Sequence, residues 1–362
     1  MKTFAKRAAA LLLAIVLTFS LAGCYSSEMT WAARMGDDEL PIGAYIYFLS
    51  TAYNEAAGQM DTDTKVLKSQ IDGMDAGDWI LDRANFYVNQ YFWVEQEMDR
   101  LGLSLDEADY ELALINTDNY WAYFGTLFEQ YGIARTSFDV AYSQYNLKYL
   151  KIFEAMYGEG GEREIPAEDL MQQYISTYYS YEYFLAPMNT VAEDESVVEF
   201  TEEEKAALAE KLEAVKKDIE SGKTTVTEAA SEYAREQGEE SSTYQIGVNT
   251  RQMMEQNYLP DTFIETITSM KANDVAVFEA GSYMVLARLL PIEETAESII
   301  EDADSRLTLM IALKTDEFHS HVESCAKEMT GVELNKKAIS RYKPSMFKES
   351  GEYGLLTPET AE

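Results

Sequence analysis

Residues 178–291 set the tightest limit on how this chain can fold. The stretch opens with Tyr181-Glu182-Tyr183-Phe184-Leu185-Ala186-Pro187, an apolar run of strand length. It closes with two more, Val275-Ala276-Val277-Phe278 and residues 283–290, joined by a turn at Gly281. Three helix-length segments lie between, so the first strand can pair only with partners far away in sequence. Strands at both ends and helices in the middle predict an α+β unit. The remainder reads as long helices, which gives an α+β chain: a mainly helical lobe built from N- and C-terminal helices, plus a small domain with a short antiparallel sheet and three to four helices.

The first residues read as a leader. Lys2, Lys6 and Arg7 form a positive segment, and residues 8–19 are an apolar run too short to span a bilayer comfortably. Leu21-Ala22-Gly23-Cys24 then matches a bacterial lipobox, in which the thiol is alkylated by diacylglycerol and the peptide is cut before the cysteine. The alternative is an ordinary secretory signal with an incidental Cys24; charge, length and the four-residue box together favour lipidation. Acyl chains on one residue, at about 0.8 kcal/mol per buried methylene, anchor a protein stably. The mature chain is thus expected outside the cytoplasm, held to the membrane through the lipid on Cys24.

The chain carries 29 Lys+Arg against 64 Asp+Glu, a net charge of −35. The leader holds three of the basic residues and no acidic one, so its removal leaves 26 against 64, or −38. Nucleic acid is excluded as a partner, because phosphate binding needs the opposite sign. No Ca²⁺ loop is present, Asp61-Thr62-Asp63 being too little, and no metal or other cofactor is implied. With Cys24 lipidated, Cys325 has no disulfide partner and reads as a small packed residue rather than a nucleophile. There is no G-x-S-x-G, P-loop or Cys-x-x-Cys, and acids are too common for any carboxylate pair to stand out.

The boundaries expected are a leader at 1–23, a helical lobe at 24–160, the α+β domain at 165–291, a C-terminal helix at 292–342 and a tail at 343–362. In the lobe, residues 30–35 predict a strand turning at Gly36, and Pro41 opens a helix carrying Ile42, Tyr45, Ile46, Leu49 and Tyr53 on one face. Residues 58–78 predict a loop with at most one helical turn. Ile80, Ala84, Tyr87, Tyr91, Val94, Met98 and Leu101 form an apolar seam along the clearest helix, stopped by Gly102. Ser104 and Glu107 predict a capping box for the next helix, interrupted at 116–119, with another at 120–131. Thr136 and Asp139 predict the start of a further helix with Phe138, Tyr142, Tyr145, Tyr149, Ile152 and Met156, and residues 158–162 a linker.

Aromatic residues crowd this lobe. Phe86, Phe92 and Trp93 lie off the seam, and Tyr120, Trp121, Tyr123 and Phe124 share one segment. For most of them a tyrosine-rich core is expected; the alternative is a groove whose uncovered walls hold apolar segments of another chain, and a contiguous exposed apolar patch separates the two.

In the α+β domain, residues 189–200 and 239–249 predict loops. Thr201 with Glu204 and Thr225 with Glu228 predict two capping boxes, and Pro260 and Asp261 open a helix with Phe263, Ile264, Ile267 and Met270. This order of strand, two helices, loop, helix beginning Pro-Asp-x-Phe and β-hairpin resembles the parvulin domain of PrsA/SurA-type foldases. The lipobox, the opening Met35-Gly36-Asp37-Asp38-Glu39-Leu40-Pro41 and a long terminal helix resemble the same family, so the likeness covers residues 29–342. It implies a membrane-anchored foldase or holdase whose helices cradle unfolded or newly exported polypeptides, with a parvulin-like domain that rotates X-Pro bonds.

Family members that isomerise proline carry one histidine in the first strand and another in the last. The matching positions are Tyr183 and Met284, and the Leu-Gly-Trp-Phe motif reads Ile246-Gly247-Val248-Asn249. The resemblance puts Phe263, Leu259, Tyr183 and Phe278 at a substrate-binding slot. X-Pro rotation takes tens of seconds unassisted, and hastening it requires hydrogen bonds stronger to the twisted imide than to the planar one. An apolar slot binds both equally. Isomerase activity is therefore expected to be weak or lost; plain strand packing is the alternative role for Tyr183 and Met284. Two other readings remain beside the holdase: an active prolyl isomerase using other residues, and a surface lipoprotein that scaffolds one partner.

The last helix is expected to run unbroken over 293–328, with Ile300, Leu307, Met310, Ile311, Phe318 and Val322 buried and His319 and His321 on the surface. Lys336, Lys337, Arg341, Lys343 and Lys348 give the tail a basic bias that suits the acidic body or an acidic wall polymer, and residues 355–362 are expected to be disordered.

Overall fold

The computed structural model describes residues 29–61, 64–191 and 196–347. The leader, Cys24, the spacer at 25–28, Asp61-Thr62-Asp63 in part, and the tail beyond Phe347 lie outside them. The chain is α+β and divides into two compact units, one made of residues up to Glu164 with those from Thr315 on, the other of Ile165–Lys314.

The first unit starts with β1 (Trp31–Met35), which turns at Gly36 (φ +61°) into β2 (Asp38–Pro41). Pro41 leads into α1 (Ile42–Gly58). The expected loop after it holds a 3₁₀ turn and a small hairpin, β3 (Gln70–Ile71) with β4 (Met74–Asp75), reversed at Asp72 and Gly73, both at positive φ. The seam helix, α2 (Ala76–Leu101), buries Ile80, Ala84, Tyr91, Val94 and Met98, with Gly102 at φ +66° ending it. Phe92 and Trp93, expected off the seam, are buried as well, so this helix is covered on more than one side.

Next comes α3 (Glu107–Tyr131), capped by Asp106 and Asp109 rather than Ser104 and Glu107. It is continuous where a break at 116–119 was expected. Thr117 is fully buried there, its hydroxyl donating to Asp139 Oδ1 (2.8 Å) and lying 2.7 Å from that of Ser143. The polar run satisfies a neighbouring helix instead of ending its own. That neighbour is α4 (Arg135–Phe138), a π-helical stretch (Asp139–Gln144) and α5 (Tyr145–Tyr157), joined through residues in right-handed helical conformation. It starts after Ala134, without the side-chain cap expected from Thr136.

In the second unit, α6 (Ala167–Thr177) delivers the chain to β5 (Tyr178–Pro187). The expected loop at 189–200 contains a hairpin, β6 (Asn189–Val191) with β7 (Val197–Glu199). The two predicted capping boxes open α7 (Glu202–Glu220) and α8 (Val226–Gln237). The expected loop at 239–249 instead contributes a strand, β8 (Gln245–Thr250), followed by α9 (Arg251–Gln256), α10 (Asp261–Ser269), β9 (Val275–Ala280) and β10 (Tyr283–Leu290). The sheet is antiparallel in the order β8-β5-β10-β9, so the two end strands are direct neighbours. Gly247 permits the β8–β5 pairing, since a Cβ there would sit 2.6 Å from the Tyr181 ring.

The expected single terminal helix is two, α11 (Glu293–Glu301) and α12 (Ala303–Glu328). Asp302 turns extended between them and caps the second through Ser305 N (2.9 Å). Met310, Phe318 and Val322 are buried as expected; Ile311 is exposed, and Leu309 and Ala326 take part in the core instead. After α12, β11 (Glu333–Leu334) pairs antiparallel with β1, and α13 (Lys336–Ile339) follows.

His321, expected on the surface, is half-buried in the first unit. Its Nδ1 lies 3.2 Å from Arg163 Nη2, which donates to it, and its ring meets Trp93 edge-on at 5.9 Å. Burial first, then the Arg163 and Arg100 charges, lower its pKa, with Glu97 and Glu317 opposing. A histidine held neutral this way contributes stability above its unfolded pKa of about 6.5 and loses it as pH falls through the lower folded value. The urea midpoint, followed by tryptophan fluorescence, should therefore drop between about pH 7.5 and about pH 5, and drop less in His321→Gln. Equal drops in both proteins would sink the assignment. Burial also raises the Cys325 thiol, 3.7 Å from His321 Nδ1, as suits an unreactive packed residue.

Candidate functional site

Two aromatic surfaces were candidates, one in each unit. In the sheet unit, side chains alternate between faces, and the register decides what can meet. Tyr183 stands opposite Ala287, and Met284 opposite Ala186. The two positions matching the family histidines are therefore an odd number of steps apart and point to opposite faces. Met284 packs with Phe184, Leu208 and Leu212 on the α7/α8 side, only 3% exposed. Tyr183 lies on the other side with Phe263, Leu259 and Phe278.

Those four are brought together, but as a closed cluster. The Phe263 ring is 5.1 Å from Tyr183, 5.6 Å from Tyr181 and 5.9 Å from Phe278, and is itself 2% exposed. The Tyr183 hydroxyl donates to Gln245 Oε1 and that of Tyr181 to Asn249 Oδ1 (2.9 Å), both on β8. Burial raises the Tyr183 pKa and pushes that of Tyr181 up to about 12, so both stay neutral donors already in use. Leu259 and Phe278 are half-buried and Tyr283 is exposed at the rim. This face offers a shallow apolar shelf over a filled core, with no imidazole and no spare donor among these residues to aim at a twisted imide.

The helical unit holds the more open surface. Tyr47 and Phe48 of α1, Tyr87 of α2, Tyr142 beside it, and Tyr145 and Tyr149 of α5 wall a groove of about 320 Å³. Thr51, Asn146, His319 and the buried Gln90 also line it. The groove rests on Phe138, whose ring is 5.2 Å from Tyr47 and stacks on Tyr142 at 5.1 Å. Three of the wall hydroxyls have partners: Tyr87 donates to Glu55 Oε2 (2.6 Å), which also takes Arg83 Nε, Tyr142 donates to Tyr120 (2.6 Å), and that of Tyr149 lies 3.4 Å from His319 Nδ1. Burial raises the pKa of Tyr47, Tyr87, Tyr142 and Tyr145, and pushes Tyr149 up to about 12. The tyrosine walls are thus neutral phenols in a chain of net charge −35.

On the side of α3 turned away from its buried Thr117, Leu112, Ile115 and Tyr123 are exposed, Tyr123 by 83%. At 100° per residue the three fall on one side of the helix. Among the aromatics singled out from sequence, Phe92 and Trp93 are core, whereas Tyr120 and Tyr123 are exposed. The groove walls Tyr142, Tyr145 and Tyr149 were legible as one helix face, but nothing local marked it as open, since Tyr157 of the same helix is fully buried. Among the described residues no group of His, Cys, Asp or Glu could hold a metal, and no helix is long and apolar enough to cross a membrane.

No protein-family model matches the chain, and no curated protein does. Among solved structures it is similar to the foldase protein PrsA from Lactococcus lactis, at 14% identity and a TM-score of 0.34 over 88% of this chain and 98% of that one. It is also similar to PrsA from Bacillus subtilis (12%, TM-score 0.32, 79% and 99%) and to foldase protein PrsA from Streptococcus pneumoniae (11%, TM-score 0.33, 89% and 98%). At these scores the likeness assigns no residue a role.

Proposed function

We propose that this chain is an extracytoplasmic, lipid-anchored holdase that takes up unfolded, newly exported polypeptides in the aromatic groove of its helical unit. The groove itself carries the proposal. Its walls are rigid rings that offer apolar faces at little entropic cost, and their phenols are neutral, so apolar and aromatic segments of many sequences fit. Leu112, Ile115 and Tyr123 give α3 a separate uncovered apolar stripe in the same unit. Cys24 within its lipobox supports the anchor, and the acidic charge supports solubility and argues against nucleic acid. The sheet unit contributes no catalysis of proline rotation, since Tyr183 and Met284 lie on opposite faces and the Phe263 cluster is packed shut.

Two assays test this together. At substoichiometric amounts the protein should leave proline-limited refolding at its unassisted rate, while at equimolar amounts it suppresses aggregation of several unrelated denatured proteins. Acceleration of refolding would establish an isomerase using other residues. Failure to protect any of the denatured proteins would leave a scaffold for one partner.

A further inference from the structure

We propose that the edge of β5 beside Leu185 is a docking slot for an extended peptide segment of neutral or basic character. Strand β8 pairs with β5 from Thr250 opposite Tyr178 to Gln245 opposite Tyr183. Continuing that register would set Thr243 opposite Leu185, yet no main-chain ladder forms there. Leu185 N donates instead to Thr243 Oγ1 (3.0 Å), and the same hydroxyl donates to Leu185 O (2.7 Å). One exposed side chain thus occupies both main-chain positions at which a partner strand would bond.

The chain before Gln245 stands away from β5 and leaves a cavity of about 670 Å³. Leu185, Pro187 and Asn189 line one part of it, and Gln237, Ser241 and Ser242 another. Its hydroxyl and amide groups suit the polar main chain of an extended ligand. Glu239 in the lining and the net charge of −35 disfavour an acidic one. Pro187, the next residue on this edge, has no N–H, so the slot is short and bonds one ligand residue in both directions. Peptide strands add to open sheet edges through such donor and acceptor pairs, and a hydroxyl released to water is displaced at small net cost. The site lies in the sheet unit and does not depend on the groove.

The test uses the full chain and a fluorescent eight-residue peptide of alternating Thr and Val with Lys at each end and blocked termini, followed by anisotropy. The same peptide N-methylated at every Thr and Val should bind about tenfold more weakly or worse, because the main-chain donors of both its edges are gone. Thr243→Val frees Leu185 without changing bulk and should tighten binding several-fold. Ser241→Trp, at an exposed position, should fill the cavity and weaken binding by about tenfold. Hydrogen exchange at the Leu185 amide should slow when the peptide is bound to Thr243→Val. Equal binding of the N-methylated peptide, indifference to Ser241→Trp, or displacement by a chitin tetramer would overturn the proposal.

Discussion

Phe138→Ala should destabilise the helical unit by about 3–5 kcal/mol, the range for truncating a buried phenylalanine in a core that cannot collapse around the gap. Phe138 is 1% exposed, with the rings of Phe128, Tyr142 and Tyr47 at 5.0, 5.1 and 5.2 Å and that of Trp121 at 6.0 Å. Rings held by their own neighbours move little into a vacated space, and each lost aromatic pair adds to the cost of the lost area. The chain's four tryptophans, Trp31, Trp79, Trp93 and Trp121, all lie in the helical unit, so tryptophan fluorescence in urea reads this unit directly. A loss below about 1 kcal/mol would mean that Phe138 is not the support of the groove. Protection of denatured proteins should fall with it, since Tyr47 and Tyr142 lose the ring they rest on.

Phe263→Ala should cost the sheet unit a similar amount, about 3–5 kcal/mol, for a different reason of interest. Had the slot implied by the family resemblance been open, Phe263 would face solvent and its removal would cost little. It is 2% exposed and contacts Tyr181, Tyr183 and Phe278. Hydrogen exchange on β5 and β10 should accelerate while the tryptophan signal of the helical unit keeps its midpoint. Unchanged exchange on those strands would reopen the ligand-slot reading.

What the residues reveal beforehand follows from how local each cause is. The β5–β10 pairing was legible because helix-length segments separate the first apolar run from the hairpin of the other two and leave it no nearer partner. Strand β8 was not, since Gln245-Ile246-Gly247-Val248-Asn249-Thr250 is half polar and forms a strand only because Gly247 lets the Tyr181 ring approach. Capping boxes at Thr201 and Thr225 depend on neighbours three residues on, and both form as read. The continuity of α3 depends on Thr117 meeting Asp139 and Ser143, which no local pattern announces. Least legible was the candidate site. Whether Tyr183 and Met284 share a face is a matter of register across two strands, and a shift of one residue reverses the answer.

On the proposed function, unfolded chains are held in the aromatic groove of the helical unit. Asn146 is exposed at its margin, so Asn146→Trp fills the groove without disturbing the core. Light scattering is followed as a chemically denatured protein is diluted into buffer with either the unaltered chain or this variant at equimolar amount. The unaltered chain should suppress scattering and Asn146→Trp should lose most of that protection at unchanged urea stability; full protection by the variant would contradict holding in the groove.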